Sequence, residues 1–198
     1  KAYYEIIRTD ADFRKTHTAK FLKENKSIAI IIPTYNEEET IVSLMDQLEG
    51  IKDRCEIVFV DGGSTDNTAK LIEESKFRLL HSKKGRNNQM NLGALSVEAD
   101  ILFFLHCDSP LPPNPLKEIL DLMEVYRAGC FGIAFKSLSP LMFICRYISN
   151  HRVFDRKVMF GDQGIVIDRD LFLEIGMYPD LPIMEDYQLS LTLKEKGV

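Results

Sequence analysis

The chain has no hydrophobic run long enough to cross a bilayer. Such a run needs roughly 18 to 20 apolar residues, and the longest candidate, Leu141–Ile148 (LMFICRYI), is short and broken by Arg146. No secretory leader is visible. Cysteine is scarce: Cys55, Cys107, Cys130 and Cys145 are far apart and form no CxxC pair, which favours reduced, mostly buried thiols in a cytoplasmic protein. Positive charge is not in excess. The formal net charge of −5 argues against a nucleic-acid scaffold or a polybasic membrane tail, so any handling of anions must be local. The glycine-rich phosphate loops are missing too. PTYNEE stands where a dinucleotide fold needs GxGxxG, and there is no GxxxxGK[ST] loop and no GxSxG elbow.

What is present is a chain of 198 residues, 45% hydrophobic, enough for one globular domain with a sizeable core. Ile28–Ile32 (IAIII), Glu56–Val60 (EIVFV) and Ile101–Leu105 (ILFFL) are short continuous apolar runs, the mark of strands covered on both faces. Helical spacing appears between them in Glu38–Leu48, in Asp66–Ser75 behind Asp66 as N-cap, and in Arg86–Val97. This alternation predicts an α/β fold, an open, mostly parallel twisted sheet with helices on both faces. Phe77–Leu80, Cys130–Phe135 and Gly164–Ile167 are further candidate strands, and Pro115–Tyr126 and a segment from about Glu185 are candidate helices. Residues 1–26 are mostly polar and read as an N-terminal helical extension, with the helix around Asp10–Lys23; residues 27–198 read as the main domain. The chain starts at Lys1 without Met and stops just past a helical pattern, so a fragment, or the ordered part of a longer protein, is expected.

The strand ends carry the chemistry. In open α/β sheets ligands bind at the carboxyl ends of strands, and here those ends read Pro33-Thr34-Tyr35-Asn36-Glu37-Glu38, Asp61-Gly62-Gly63-Ser64-Thr65-Asp66 and His106-Cys107-Asp108-Ser109. Turn chemistry and capping explain any one of them; three on one rim point to a functional edge. HSKKGRNNQMNLG adds Lys83, Lys84 and Arg86 at the start of a helix, whose free N–H groups and dipole attract anions. Read alone it is a solvated turn. Beside the carboxylates it completes a site for a metal-bound diphosphate.

The motifs PTYNEEETI, VDGGSTDNT, KGRNNQMNLGA, FFLHCDS, GDQGIVIDRDLF and PIMEDYQLS, in this order, resemble family 2 glycosyltransferases of the GT-A fold, most closely a small bacterial subgroup with His-x-Asp in place of DxD. The resemblance covers roughly Ile28 to Gly197. It implies an inverting glycosyltransferase that moves one sugar from a nucleoside-diphosphate sugar, UDP favoured, to an acceptor hydroxyl. Pro33, Tyr35, Asn36 and Glu37 would line the nucleoside pocket with Gly63 and Ser64, and Asp61 would accept a hydrogen bond from the base. Arg86 and Gln89 would face the nucleotide or its phosphates. Asp108 would ligate Mn²⁺ or Mg²⁺. Asp186 matches the general base, with Glu185 beside it as a second catalytic candidate, and Gly161, Asp162 and Gln163 lie on the acceptor side.

His106 departs from the pattern: imidazole binds Mn²⁺ but is a poor Mg²⁺ ligand, so metal ligation, donation behind the ligand and simple packing all stay open. Cys107 should point to the opposite face, into the core. The family pattern places a basic residue at Thr192, and the QxxRW motif of processive synthases is absent. Leu138–Lys157, mixing apolar residues with Arg146, His151, Arg152, Arg156 and Lys157, reads equally as a solvated amphipathic helix or as an acceptor wall or lid for an anionic or lipid-linked acceptor. The expected partners are therefore a nucleotide-sugar and an unidentified acceptor, with no nucleic acid and with peripheral membrane contact left open. The alternative reading is a nucleotide-sugar-binding or regulatory module without transfer activity.

Overall fold

A computed structural model describes residues 2–6, 26–135 and 140–198; the helix expected around Asp10–Lys23 lies outside the described residues. The described chain forms strands β1 (Ala2–Ile6), β2 (Ile28–Thr34), β3 (Glu56–Asp61), β4 (Arg78–His81), β5 (Ile101–Phe104), β6 (Ala128–Phe135) and β7 (Ile165–Asp168). Its helices are α1 (Ile41–Glu49), α2 (Thr68–Ser75), α3 (Arg86–Leu95), α4 (Pro115–Met123), α5 (Pro140–Arg156), α6 (Arg169–Glu174) and α7 (Glu185–Glu195).

The strands make one open, twisted, seven-stranded sheet in the order β1-β6-β7-β5-β2-β3-β4. β5, β2, β3 and β4 are mutually parallel. β7 runs against both β5 and β6, and β1 runs against β6, so five of the seven strands share one direction. This is the expected fold class. The edge strand β1 falls within a segment read from the sequence as polar and helical.

The continuous apolar runs are explained by alternation. Ile28, Ile30 and Ile32 of β2 turn to one face, where they pack with Ile41, Leu44 and Leu48 of α1, Ile72 of α2 and Ile119 of α4. Ala29 and Ile31 turn to the other face, with Met90 and Ala94 of α3, Leu171 and Phe172 of α6, and Leu189 and Leu193 of α7. Covered on both faces, the strand has no solvated side and needs no polar residue. Helix α3 lies close to the sheet because position 93 is glycine: a Cβ there would be 2.4 Å from Ile31 Cγ2 and 3.2 Å from Val60 Cγ2. Phe104, Phe172 and Tyr178 stack with centroids 5.1–5.4 Å apart and fix the connection after α6 to the same face.

Candidate active site

The parallel strands β2, β3 and β5 end on one rim, so their polar turns meet there. The first two turns are fastened by reciprocal side-chain bonds. Asn36, in a left-handed conformation (φ 55°), donates its N–H to Ser64 Oγ at 2.9 Å, and its Oδ1 accepts from Thr65 N at 2.8 Å. Glu37 N donates to Thr68 Oγ1, and Glu38 Oε2 accepts from both nitrogens of Asn67. Asp66, expected as the N-cap of α2, instead lies one residue before it, since the cap position is Asn67; its carboxylate still accepts from Thr68 N at 3.0 Å. Asp61 is buried at the end of β3. Its Oδ2 accepts from Gly63 N and Ser64 N at 2.9 and 3.0 Å, and its Oδ1 accepts from Ser64 Oγ. Gly63 and Ser64 thus hold the Asp61 carboxylate through the turn.

A cleft of about 270 Å³ opens on this rim, lined by residues of the β2 and β5 ends together with Arg86 and Gln89. Gln89 is buried, and its amide nitrogen donates to the carbonyls of Thr34 (2.7 Å) and Val60 (2.8 Å), tying the ends of β2 and β3 together. At the cleft, Lys84 Nζ lies 4.0 Å from the ring centroid of Tyr35, a cation–π contact. Arg86, half-exposed, pairs through Nε with Oε1 of the buried Glu185 at 2.8 Å. Thr192, where a basic residue was expected, bonds back to Gln188 O within α7.

In the turn after β5 the alternation holds: Cys107 is buried in the core and Asp108 is exposed beside the cleft. His106 faces the 3-10 turn Gly161–Gln163. A Cβ on Gly161 would lie 2.6 Å from His106 Nε2 and 3.5 Å from Asp186 Oδ2, so a side chain there would press on the imidazole. Asp186, at the start of α7, accepts from Gly161 N at Oδ2 and from Tyr187 N at Oδ1, both at 2.7 Å. Burial, helped by Arg86, lowers the imidazole pKa of His106, while Asp108, Asp162 and Asp186 act the other way. Burial raises the Asp162 carboxyl, against the pull of His106 and Arg152. Gln163 is fully buried and accepts from Phe160 N through Oε1; Arg152 lies over the Phe160 ring at 3.9 Å. Phe160 and Tyr187 in turn have ring centroids 6.3 Å apart, so α5 reaches the start of α7 through these rings.

Among the described residues no three His, Cys, Asp or Glu side chains converge into a metal cage. The cleft offers an exposed Asp108, with Arg86 also in its lining, which suits a different arrangement: magnesium-like ions are commonly held by one or two carboxylates plus substrate phosphates. A second, apolar cavity between α4, β6 and α7 is lined by no carboxylate.

The profile of glycosyl transferase family 2 matches residues 29–174. The undecaprenyl-phosphate 4-deoxy-4-formamido-L-arabinose transferase of Proteus mirabilis is 28% identical over 116 residues, 52% of this chain and 35% of its own length. Its counterpart in Yersinia pestis is 27% identical over 111 residues, 50% of this chain and 34% of its own. The chain therefore spans about a third of the length of the curated relatives it matches. Among solved structures, the mannosyltransferase PcManGT from Pyrobaculum calidifontis in complex with GDP-Man and Mn²⁺ is similar with a TM-score of 0.66 at 19% identity, over 92% of this chain and 56% of that one. S. aureus TarS in complex with UDP-GlcNAc gives 0.62 at 20% identity, over 84% and 52%. At these identities the likeness to the solved structures is one of fold. The family match, in contrast, spans most of the chain and takes in the strand-end motifs from Pro33 to Asp162: the chain belongs to glycosyl transferase family 2.

Proposed function

We propose that the protein is an inverting glycosyltransferase whose strand-end cleft binds a nucleoside-diphosphate sugar, with UDP the favoured nucleotide, and passes the sugar to an acceptor hydroxyl. The observation that carries this is the grouping at one rim of a half-exposed guanidinium (Arg86), an exposed carboxylate (Asp108) and a buried, oriented carboxylate (Asp186) behind Gly161. These are three groups with three tasks. Asp186 takes the proton from the acceptor hydroxyl, a contribution of about 10²–10⁴-fold; its two N–H bonds fix its direction, and each oxygen keeps a lone pair. Arg86 stabilises charge that gathers on the departing diphosphate. Tyr35, Asn36, Asp61 and Ser64 shape the nucleoside end, with Pro33 and Glu37 beside them. Asp108 would hold a Mn²⁺ or Mg²⁺ ion that arrives with the diphosphate, and His106 would orient that region. Such an ion supplies Lewis-acid neutralisation of the leaving group.

On the acceptor side stand Gly161, Asp162 and Gln163, backed by α5. The relatives from Proteus and Yersinia are named for a lipid phosphate acceptor. Ile144, Tyr147 and Ile148 of α5 form an exposed apolar stripe, which supports a lipid-linked acceptor at this edge. No helix among the described residues is long and apolar enough to cross a membrane.

Calorimetric titration with UDP, GDP and their common sugar conjugates, with and without Mn²⁺, tests the reading. Metal-dependent binding of one nucleotide, weakened at least tenfold by Asp108→Ala, is expected. Folded protein that binds none of them would refute it.

A further inference from the structure

The polar residues of KGRNNQMNLG divide by what they touch. Gln89 holds the sheet. Lys84 lies over Tyr35 and Asn88 bonds back to the Lys84 carbonyl, whereas Asn87 and Asn91 reach the segment between α6 and α7. Asn87 Nδ2 donates to Asp180 Oδ1 at 3.0 Å. Asn91 makes a reciprocal pair with the backbone of Tyr178, donating to its carbonyl at 2.8 Å and accepting from its N–H at 3.0 Å. Arg86 continues this series at the mouth of the cleft by pairing with Glu185. Helix α3 and the connection that delivers Glu185 and Asp186 are thus joined along their length.

Glu185 differs from its neighbour Asp186 in what holds it. Its side chain is 3% exposed, against 48% for Arg86, so the carboxylate is committed to the pair while the guanidinium also meets the cleft. An arginine has five N–H donors in a rigid fork. With the ion pair to Glu185 made on the Nε side, both terminal nitrogens are left to meet an anion. A buried carboxylate with its partner at 2.8 Å is poorly placed to collect a proton from an acceptor, whereas it is well placed to fix a guanidinium.

We propose that Glu185 is a positioning residue, which acts through Arg86 to aim its terminal nitrogens at the diphosphate, and that proton transfer is left to Asp186. This rests on the donor-binding reading above and assigns Glu185 a task there that differs from the catalytic one expected from the sequence.

The test is a double-mutant cycle on the full chain, with UDP and GDP, each with Mn²⁺, as probes. Affinity is read by calorimetry and donor hydrolysis by steady-state kinetics. Glu185→Ala and Arg86→Ala are each expected to weaken nucleotide binding about tenfold, and the double variant should be no weaker than Arg86→Ala alone. Glu185→Gln keeps the accepting oxygen without the charge and should recover part of the loss, with the donor KM moving more than kcat. Should circular dichroism show Glu185→Ala unfolded, the Gln variant carries the cycle, with an expected loss of about threefold. Unchanged affinity in the Glu185 variants overturns the proposal. So do additive losses in the double variant, which would mean that Glu185 acts independently of Arg86, and so does a fall in kcat alone. If the unaltered protein binds neither nucleotide, the donor-binding reading falls and takes this one with it; if it binds and the variants bind equally well, only the role of Glu185 is lost.

Discussion

At the scale of single residues, the tightest constraint is Gly161. A methyl group there would lie within 3 Å of two atoms of the His106 ring, so Gly161→Ala must move the imidazole or the 3-10 turn that donates to Asp186. An overpacked site of this kind costs about 1–3 kcal/mol, and a displacement of about 1 Å near reacting groups costs about 100-fold in rate. Denaturant unfolding and donor turnover should therefore separate: modest loss of stability, large loss of turnover. Turnover within twofold of the unaltered protein would remove His106 and Gly161 from the working site. The residue types were legible in the sequence; their meeting was not. His106, Gly161 and Asp186 come from three elements, and nothing in FFLHCDS states that its histidine will face GDQG. Glu185 shows the same limit. It reads as an acid next to the base, and only the fold reveals Arg86 beside it.

At the scale of elements, α3 is held to the sheet by a glycine contact and a buried amide, and these carry different predictions. Gln89→Leu keeps the side-chain volume but takes the amide donor from the carbonyls of Thr34 and Val60, of which Thr34 still accepts from Gly62 N at 2.9 Å. A buried acceptor left unsatisfied costs about 1–3 kcal/mol, so urea unfolding should show a drop of that order, and nucleotide affinity should fall because the amide that ties the two strand ends together is gone. A change below about 0.5 kcal/mol would mean that water replaces the amide. The parallel strands were readable because strands buried on both faces are apolar throughout, and IAIII, EIVFV and ILFF satisfy this with little ambiguity. The direction of β6 and β7 was not readable, since period and composition carry no sense of direction; it is fixed by the antiparallel pairing of β7 with β5. Helix α1 begins at Ile41 and not at Glu38, where its helical spacing begins, because residues 38–40 form a turn that bonds to the β3–α2 connection.

At the scale of the whole molecule, the buried thiols make stability depend on alkaline pH. Burial pushes Cys130 up to about 12 and Cys55 to about 11, from an ordinary 9.0. Above pH 9 the unfolded chain releases protons that the folded chain keeps. The unfolded state then binds fewer protons, so stability falls as pH rises. For Cys130 alone the loss at pH 10 is about 1 kcal/mol. The urea midpoint should move down between pH 8 and pH 10, by less in Cys130→Ala, and an identical slope in that variant would show that other groups set it.

The sheet order also bears on how the chain comes into being. β5 is flanked by β2, made well before it, and by β7, made some sixty residues after it. While the ribosome is still adding the residues between, ILFF has one row of amides and carbonyls without a partner, on the most apolar strand of the sheet. An unprotected hydrophobic edge is a template for pairing with another chain. The antiparallel strand that completes the rim beside the cleft is therefore also the strand that seals the sheet against its own copies, and a nascent chain is most exposed to self-association in the interval before Ile165–Asp168 arrives.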